Sequence, residues 1–120
     1  MCKLNITRND GIASVVINNP PVNILTIDLI NEVNVFINSL KNDYGTKVVI
    51  FKSANNQFFS AHLDLNVING TEEGQAACIE FSHMINNIKE MKQLSIAVVD
   101  GVARGGGNEF IMACDLAYGT

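Results

Sequence analysis

The sequence predicts an α/β fold with largely parallel strand pairing after an opening hairpin. Short β-branched runs alternate with stretches of helical periodicity, in the order β-β-α-β-α-β-α-β. The first two strands are joined by "NDG", a strong turn signal. The chain has 120 residues, of which 48% are hydrophobic and 17% charged, enough for one domain with a real core.

Each element has its own signal. "CKLNITR" and "IASVVIN" read as the hairpin strands, and Gly11 supplies the positive φ of the turn. "NNPPVN" follows as an irregular extended loop. Thr26 reads as the N-cap of a helix to about Lys41, with Leu29, Ile30, Val33, Phe36, Ile37 and Leu40 on its apolar face. "NDYG" ends it. "KVVIFKS" is a buried strand and "ANNQFF" a loop. "SAHLDLNVI" starts a short helix near Asp64. A long helix runs from about Glu72 to Met91, with an apolar stripe of Cys78, Phe81, Met84, Ile85, Ile88 and Met91. "LSIAVVDG" is a strand, a short helix covers Asn108 to Ala113, and "LAYGT" is a last strand.

Composition narrows the function classes. The net charge is −4, and the basic residues are scattered, which disfavours nucleic acid as a partner. The apolar runs are too short to span a bilayer, and "MCKLNITRND" has no secretory h-region. Cys2, Cys78 and Cys114 form no CxxC pair, which fits a reducing, cytoplasmic setting. His62 and His83 lack a second ligand at metal spacing, so no metal is expected.

"GVARGGGNEF" (residues 101–110) places a glycine run and an acid between two apolar segments. The bare backbone of Gly105, Gly106 and Gly107 admits close approach of a ligand. The first N–H groups of the following helix lack internal partners and sit at the positive end of its dipole. Neither the P-loop spacing nor G-x-G-x-x-G is present, and no Lys follows the glycines. Glu109 in the first turn would repel a phosphate. Beside a neutral carbonyl it can serve as an acid or base. An oxyanion hole therefore fits better than a phosphate cradle. The plain alternative is a tight strand-to-helix connection in which Glu109 complements the dipole. "QFFSAHLDL" is a second strand-to-helix junction, and an oxyanion hole needs two donors.

"NQFFSAHLDL" followed by "SIAVVDGVARGGGNEFIMACDLAYGT" resembles the crotonase superfamily, the enoyl-CoA hydratase/isomerase family. The opening "GIASVVINNPPVNILTIDLINEV" is similar to that family's start. The resemblance implies a crotonase-like spiral of β-β-α units, with residues 1–120 as the N-terminal portion of a single domain, truncated before the C-terminal turns and helices. It implies that backbone N–H groups of Leu63 and Gly106 polarise a thioester carbonyl and stabilise an enolate. Glu109 matches the first of two hydratase glutamates. The second would fall shortly past Thr120. The coenzyme A arm would lie along Pro21 and Val22 of "PPVN" and along Ala61, His62, Asp64 and Leu65 of "SAHLDL", with Val102 and Gly105 also binding the substrate.

The implied activity is enoyl-CoA hydration. Isomerisation, another crotonase-type reaction, or a non-catalytic chain that binds acyl-CoA are the alternatives. The substrate is an acyl-CoA, with coenzyme A as part of it and no permanently bound cofactor. The resemblance also implies a homo-oligomer, trimer or hexamer. A partly buried Glu109, beside Val102 and Phe110, would suit a proton shuttle.

Three departures stand out. His62 replaces a glycine common after "SA", Leu63 replaces a smaller residue, and no basic residue stands near "PPVN". Asp64 is read first as a helix cap and Cys114 as a buried thiol rather than a nucleophile. Arg104 is either a contact for a CoA phosphate or a solvated side chain.

Overall fold

The computed structural model describes residues 3–60 and 72–119. Strands β1 (Leu4–Asn9) and β2 (Ile12–Ile17) form the predicted antiparallel hairpin. Asp10 (φ 52°) and Gly11 (φ 81°) make its two-residue turn, and this pair of positive φ values matches the twist of the flanking strands. Helix α1 (Ile27–Ser39), strand β3 (Val48–Ser53), helix α2 (Glu72–Glu90), strand β5 (Leu94–Val99), helix α3 (Gly106–Ala113) and strand β7 (Leu116–Gly119) follow. Two short strands lie between them, β4 (Phe58–Ser60) and β6 (Val102–Ala103). The main sheet has five strands in the order β1-β2-β3-β5-β7, and every pairing after the hairpin is parallel. Strands β4 and β6 form a separate two-stranded parallel sheet.

Alternation builds the core. Ala13, Val15, Ile17, Val49, Phe51 and Ala97 point to one face of the main sheet and are fully buried. Leu29, Ile30 and Val33 of α1, Met84 and Ile88 of α2 and Phe110 of α3 join them in one cluster. The other face is only half covered: Val48, Ile50 and Ile96 are partly buried, and Ile12 and Leu94 are exposed. Strand β3 is the expected buried strand, fully covered on the face that the cluster's helices take and partly covered on the other.

Both long helices hold to their predicted extents within two residues. Thr26 caps α1 as expected, its Oγ1 accepting from the Leu29 N–H at 3.3 Å. At the other end of α1, Gln93 donates its amide to the Leu40 and Asp43 carbonyls at 3.1 and 3.3 Å. Lys92 Nζ donates to the Lys41 carbonyl at 2.9 Å. These side chains satisfy the carbonyl of the helix cap Leu40 and two carbonyls of the turn that follows it. Asp43 orders the turn before β3, accepting from Thr46 Oγ1 and from the Thr46 and Gly45 N–H groups, at 2.8, 3.0 and 3.0 Å. These bonds, the Thr46 hydroxyl first, hold its carboxyl below the usual carboxylate range.

The stripe of α2 differs from prediction by one residue. Ala77, Phe81, Met84 and Ile88 are buried, whereas Cys78 is exposed. Their steps of four, three and four keep one helical face, and Cys78 lies off it. Among the described residues no helix is long and apolar enough to cross a membrane.

Phe110 joins the helical layer to both sheets. Its ring meets Phe51 of β3 at 5.0 Å and 85°, and Phe59 of β4 at 5.8 Å and 70°, both edge-to-face. Phe110→Ala should cost about 3–5 kcal/mol in urea unfolding, the range for deleting a buried aromatic ring. A loss under about 1 kcal/mol would mean that α3 is held by other contacts.

Candidate functional site

The glycine run lies where the small sheet meets α3. Sequence reading treated "ANNQFF" as a loop, but Phe58 and Phe59 belong to β4, which runs parallel to β6 through the pairs Phe58–Val102 and Ser60–Ala103. The Val102 N–H donates to the Gln57 carbonyl at 2.8 Å, and the Arg104 N–H to the Ser60 carbonyl at 3.2 Å. This ladder is too short to show a period, so nothing local marks it as strand.

Helix α3 starts two residues earlier than predicted, at Gly106, with Gly105 as its N-cap. Gly105 has φ 51° and ψ −119°, a conformation closed to ordinary L-residues. Gly107 packs directly against β4. A Cβ there would overlap the Ser60 carbonyl and come within 2.9 Å of the Ser60 Cβ. The Gly107 N–H donates to the Arg104 carbonyl at 2.9 Å and the Glu109 N–H to the Gly105 carbonyl at 3.0 Å. The Gly106 N–H, at the first helical position, has no hydrogen-bond partner among the described residues. It stands at the positive end of the helix dipole.

Glu109 lies in the first turn of α3 and is exposed, not partly buried as expected. Successive helix residues are rotated by about 100°. With Phe110 locked into the core, its neighbour is turned toward solvent. Val102 and Arg104 are also exposed, and Arg104 reaches β4 through its backbone. Pro21 is exposed and Val22 half-buried. The Pro21 carbonyl accepts from Asn55 Nδ2 at 2.7 Å, while Asn55 Oδ1 accepts from the Gln57 and Phe58 N–H groups at 2.8 and 3.3 Å. The "PPVN" loop is thereby fixed to the turn that enters β4. Ala61, His62, Leu63, Asp64 and Leu65, with the short helix predicted near Asp64, lie outside the described residues.

The far end of α3 is fastened to β5. The Asp115 carboxylate accepts from the Ser95 N–H at 2.9 Å and from its hydroxyl at 3.3 Å, and Ser95 Oγ accepts from the Asp115 N–H at 2.9 Å. Cys114 donates its thiol to the Phe110 carbonyl at 3.5 Å. Burial pushes that thiol up to about 12, which matches the expectation of a packed rather than a nucleophilic cysteine.

Sequence reading missed Asn23 and Ser60, the polar residues buried behind this junction. An Asn closing a Pro-rich loop is a usable signal, since Asn tolerates positive φ. Ser60 carries no local signal, because its role is set by a partner far along the chain.

Two consequences are measurable. Gly107→Ala should destabilise the chain by about 1–3 kcal/mol in chemical denaturation, the usual cost of overpacking; stability equal to the parent's would contradict the contact with Ser60. In a Cys2→Ser background at pH 8, Cys114 should react with a disulfide reagent at least about 100-fold more slowly than exposed Cys78. Similar rates would show an accessible thiolate at position 114.

Comparison with known proteins bears on this arrangement. The enoyl-CoA hydratase/isomerase family model matches residues 7–120. An ethylmalonyl-CoA decarboxylase of Xenopus laevis is 34% identical over 116 residues, covering 93% of this chain and 38% of the relative. A short-chain-enoyl-CoA hydratase of Clostridium acetobutylicum is 32% identical, covering 92% and 44%. The crystal structure of an enoyl-CoA hydratase from Bacillus anthracis superposes with a TM-score of 0.90 at 24% identity, covering 98% of this chain and 47% of that one, and shows the shared fold. The chain therefore spans less than half the length of each of these three proteins. On the match over nearly its whole extent, the chain belongs to the enoyl-CoA hydratase/isomerase family.

Proposed function

We propose that this chain carries the enolate-stabilising part of an acyl-CoA site, and that its reaction is hydration of an enoyl-CoA. The observation that supports this most is the contact between the end of β4 and the first turn of α3. It brings the backbone just before Ala61 against the backbone around Gly106. In this reading the N–H groups of Leu63 and Gly106 converge on the thioester oxygen. Donors fixed by the fold need no reorganisation as charge develops there.

The chemistry then follows. Water adds its oxygen to the β-carbon of the double bond while Glu109 takes a proton from it. The π electrons move onto the thioester oxygen, giving an enolate held by the two N–H groups. Proton return to the α-carbon completes the hydrated product. An exposed Glu109 at the helix N-terminus is free to meet water. In this proposal Pro21, Val22, Ala61, His62, Asp64 and Leu65 would line the coenzyme A arm, and Val102 and Gly105 would also contact the substrate.

A second reading is favoured by the decarboxylase relative. Loss of CO2 from a malonyl-type thioester breaks the bond to the carboxylate and leaves the same enolate, so the same N–H groups serve. Glu109 would then have no water to activate.

Glu109→Gln should lower kcat for crotonyl-CoA hydration by about 10²–10⁴-fold with little change in KM, the usual contribution of a positioned acid–base group. An unaffected rate in the variant would remove Glu109 from the mechanism. CO2 release from a substituted malonyl-CoA, without hydration of crotonyl-CoA, would select the second reading. Binding of acyl-CoA with neither reaction would mark a non-catalytic chain.

A further inference from the structure

Asn23 is the buried residue whose hydrogen bonds are hardest to explain by folding of its own loop. It is 1% exposed and has φ 55°, a left-handed conformation that non-glycine residues adopt rarely and Asn most readily. Its Oδ1 accepts from the Asn19 N–H at 2.7 Å, which closes the loop. Its Nδ2 reaches outward to Ser53 Oγ at 2.6 Å, the Phe59 carbonyl at 3.1 Å and the Ile17 carbonyl at 3.4 Å. Its own carbonyl accepts from Ser60 Oγ at 2.8 Å. Asn23 thus touches the end of β2 and the end of β3 through its side chain, and β4 through both its side chain (Phe59) and its backbone carbonyl (Ser60). A primary amide supplies this with two N–H donors and a carbonyl acceptor on separate atoms.

The connection continues into the candidate site. Ser60, fully buried, donates its hydroxyl to the Asn23 carbonyl and accepts the Arg104 N–H at its own carbonyl. The same residue is the surface on which Gly107 rests. We infer that Asn23 is a positioning residue for the oxyanion hole: through Ser60 it sets how closely the β4 end and the first turn of α3 approach, and so where their N–H groups point. This rests on the proposed function. Asn23 itself is too buried to touch a substrate.

The test reads the carbonyl rather than stability. Butyryl-CoA labelled with 13C at the thioester carbonyl cannot be hydrated and reports polarisation through its infrared band. The protein is used at its full natural length, as parent, Asn23→Ala and Ser60→Ala. In the parent the band should move to lower wavenumber on binding. In both variants the shift should shrink by about half or more, and kcat for crotonyl-CoA should fall about 10–100-fold while KM stays within about threefold, the pattern of a displaced oxyanion donor. Ser60→Ala removes a single hydroxyl, so it decides the question if Asn23→Ala does not fold. A parent band that does not move on binding overturns the oxyanion-hole reading itself. A shifted parent with equally shifted folded variants overturns the role of Asn23 and leaves that reading standing. A uniform rise in KM with kcat and the shift unchanged likewise overturns it.

Discussion

The first turn of α3 lies against the backbone of β4 with no side chain between them, and the candidate site depends on that contact. The side-chain-free position is Gly107, and the surface it meets is the Ser60 carbonyl. Everything that places α3 serves the approach. Phe110 anchors the helix on Phe51 and Phe59, Asp115 fastens its far end to Ser95, and the β4–β6 ladder brings in its near end. With the helix so fixed, the Gly106 N–H at its start has no hydrogen-bond partner among the described residues and stands at the positive end of the dipole.

The chemistry that the proposed function asks of this junction is modest for any one side chain. A thioester carbonyl is already an acceptor, and what it lacks is donors held at the right distance before the charge arrives. In the proposed reaction backbone N–H groups would supply them without rotamer freedom, so the fold itself would carry that part of the chemistry. In the same proposal Glu109 is the group that exchanges protons with water, and its exposed position is compatible with that task.

Most of the architecture was legible in the sequence because its signals are local or periodic. The Asp10–Gly11 turn, the Thr26 cap and the stripes of α1 and α2 each depend on residues within a few positions of one another. What was not legible depends on distant partners. Strands β4 and β6 are too short to carry a period and exist only because each has the other. Glu109 was expected partly buried because Val102 and Phe110 flank it; the helix sends Phe110 inward and turns the acid away. Cys78 was placed on the α2 stripe, although Ala77 fits the buried steps better. Asn23 looked like one more loop residue until the strand ends that it joins were brought together.

The two-rung ladder between β4 and β6 also bears on how the molecule comes into being. Its partners are separated by a long stretch of chain that includes α2, so closing it carries a large loop entropy and belongs among the non-local events of folding. The hairpin and the helices can form from neighbouring residues. The junction cannot exist in any species where β6 has not found β4. The thioester polarisation proposed for this junction would therefore recover after helix formation during refolding, and a partly folded chain with full helical content would still lack the junction.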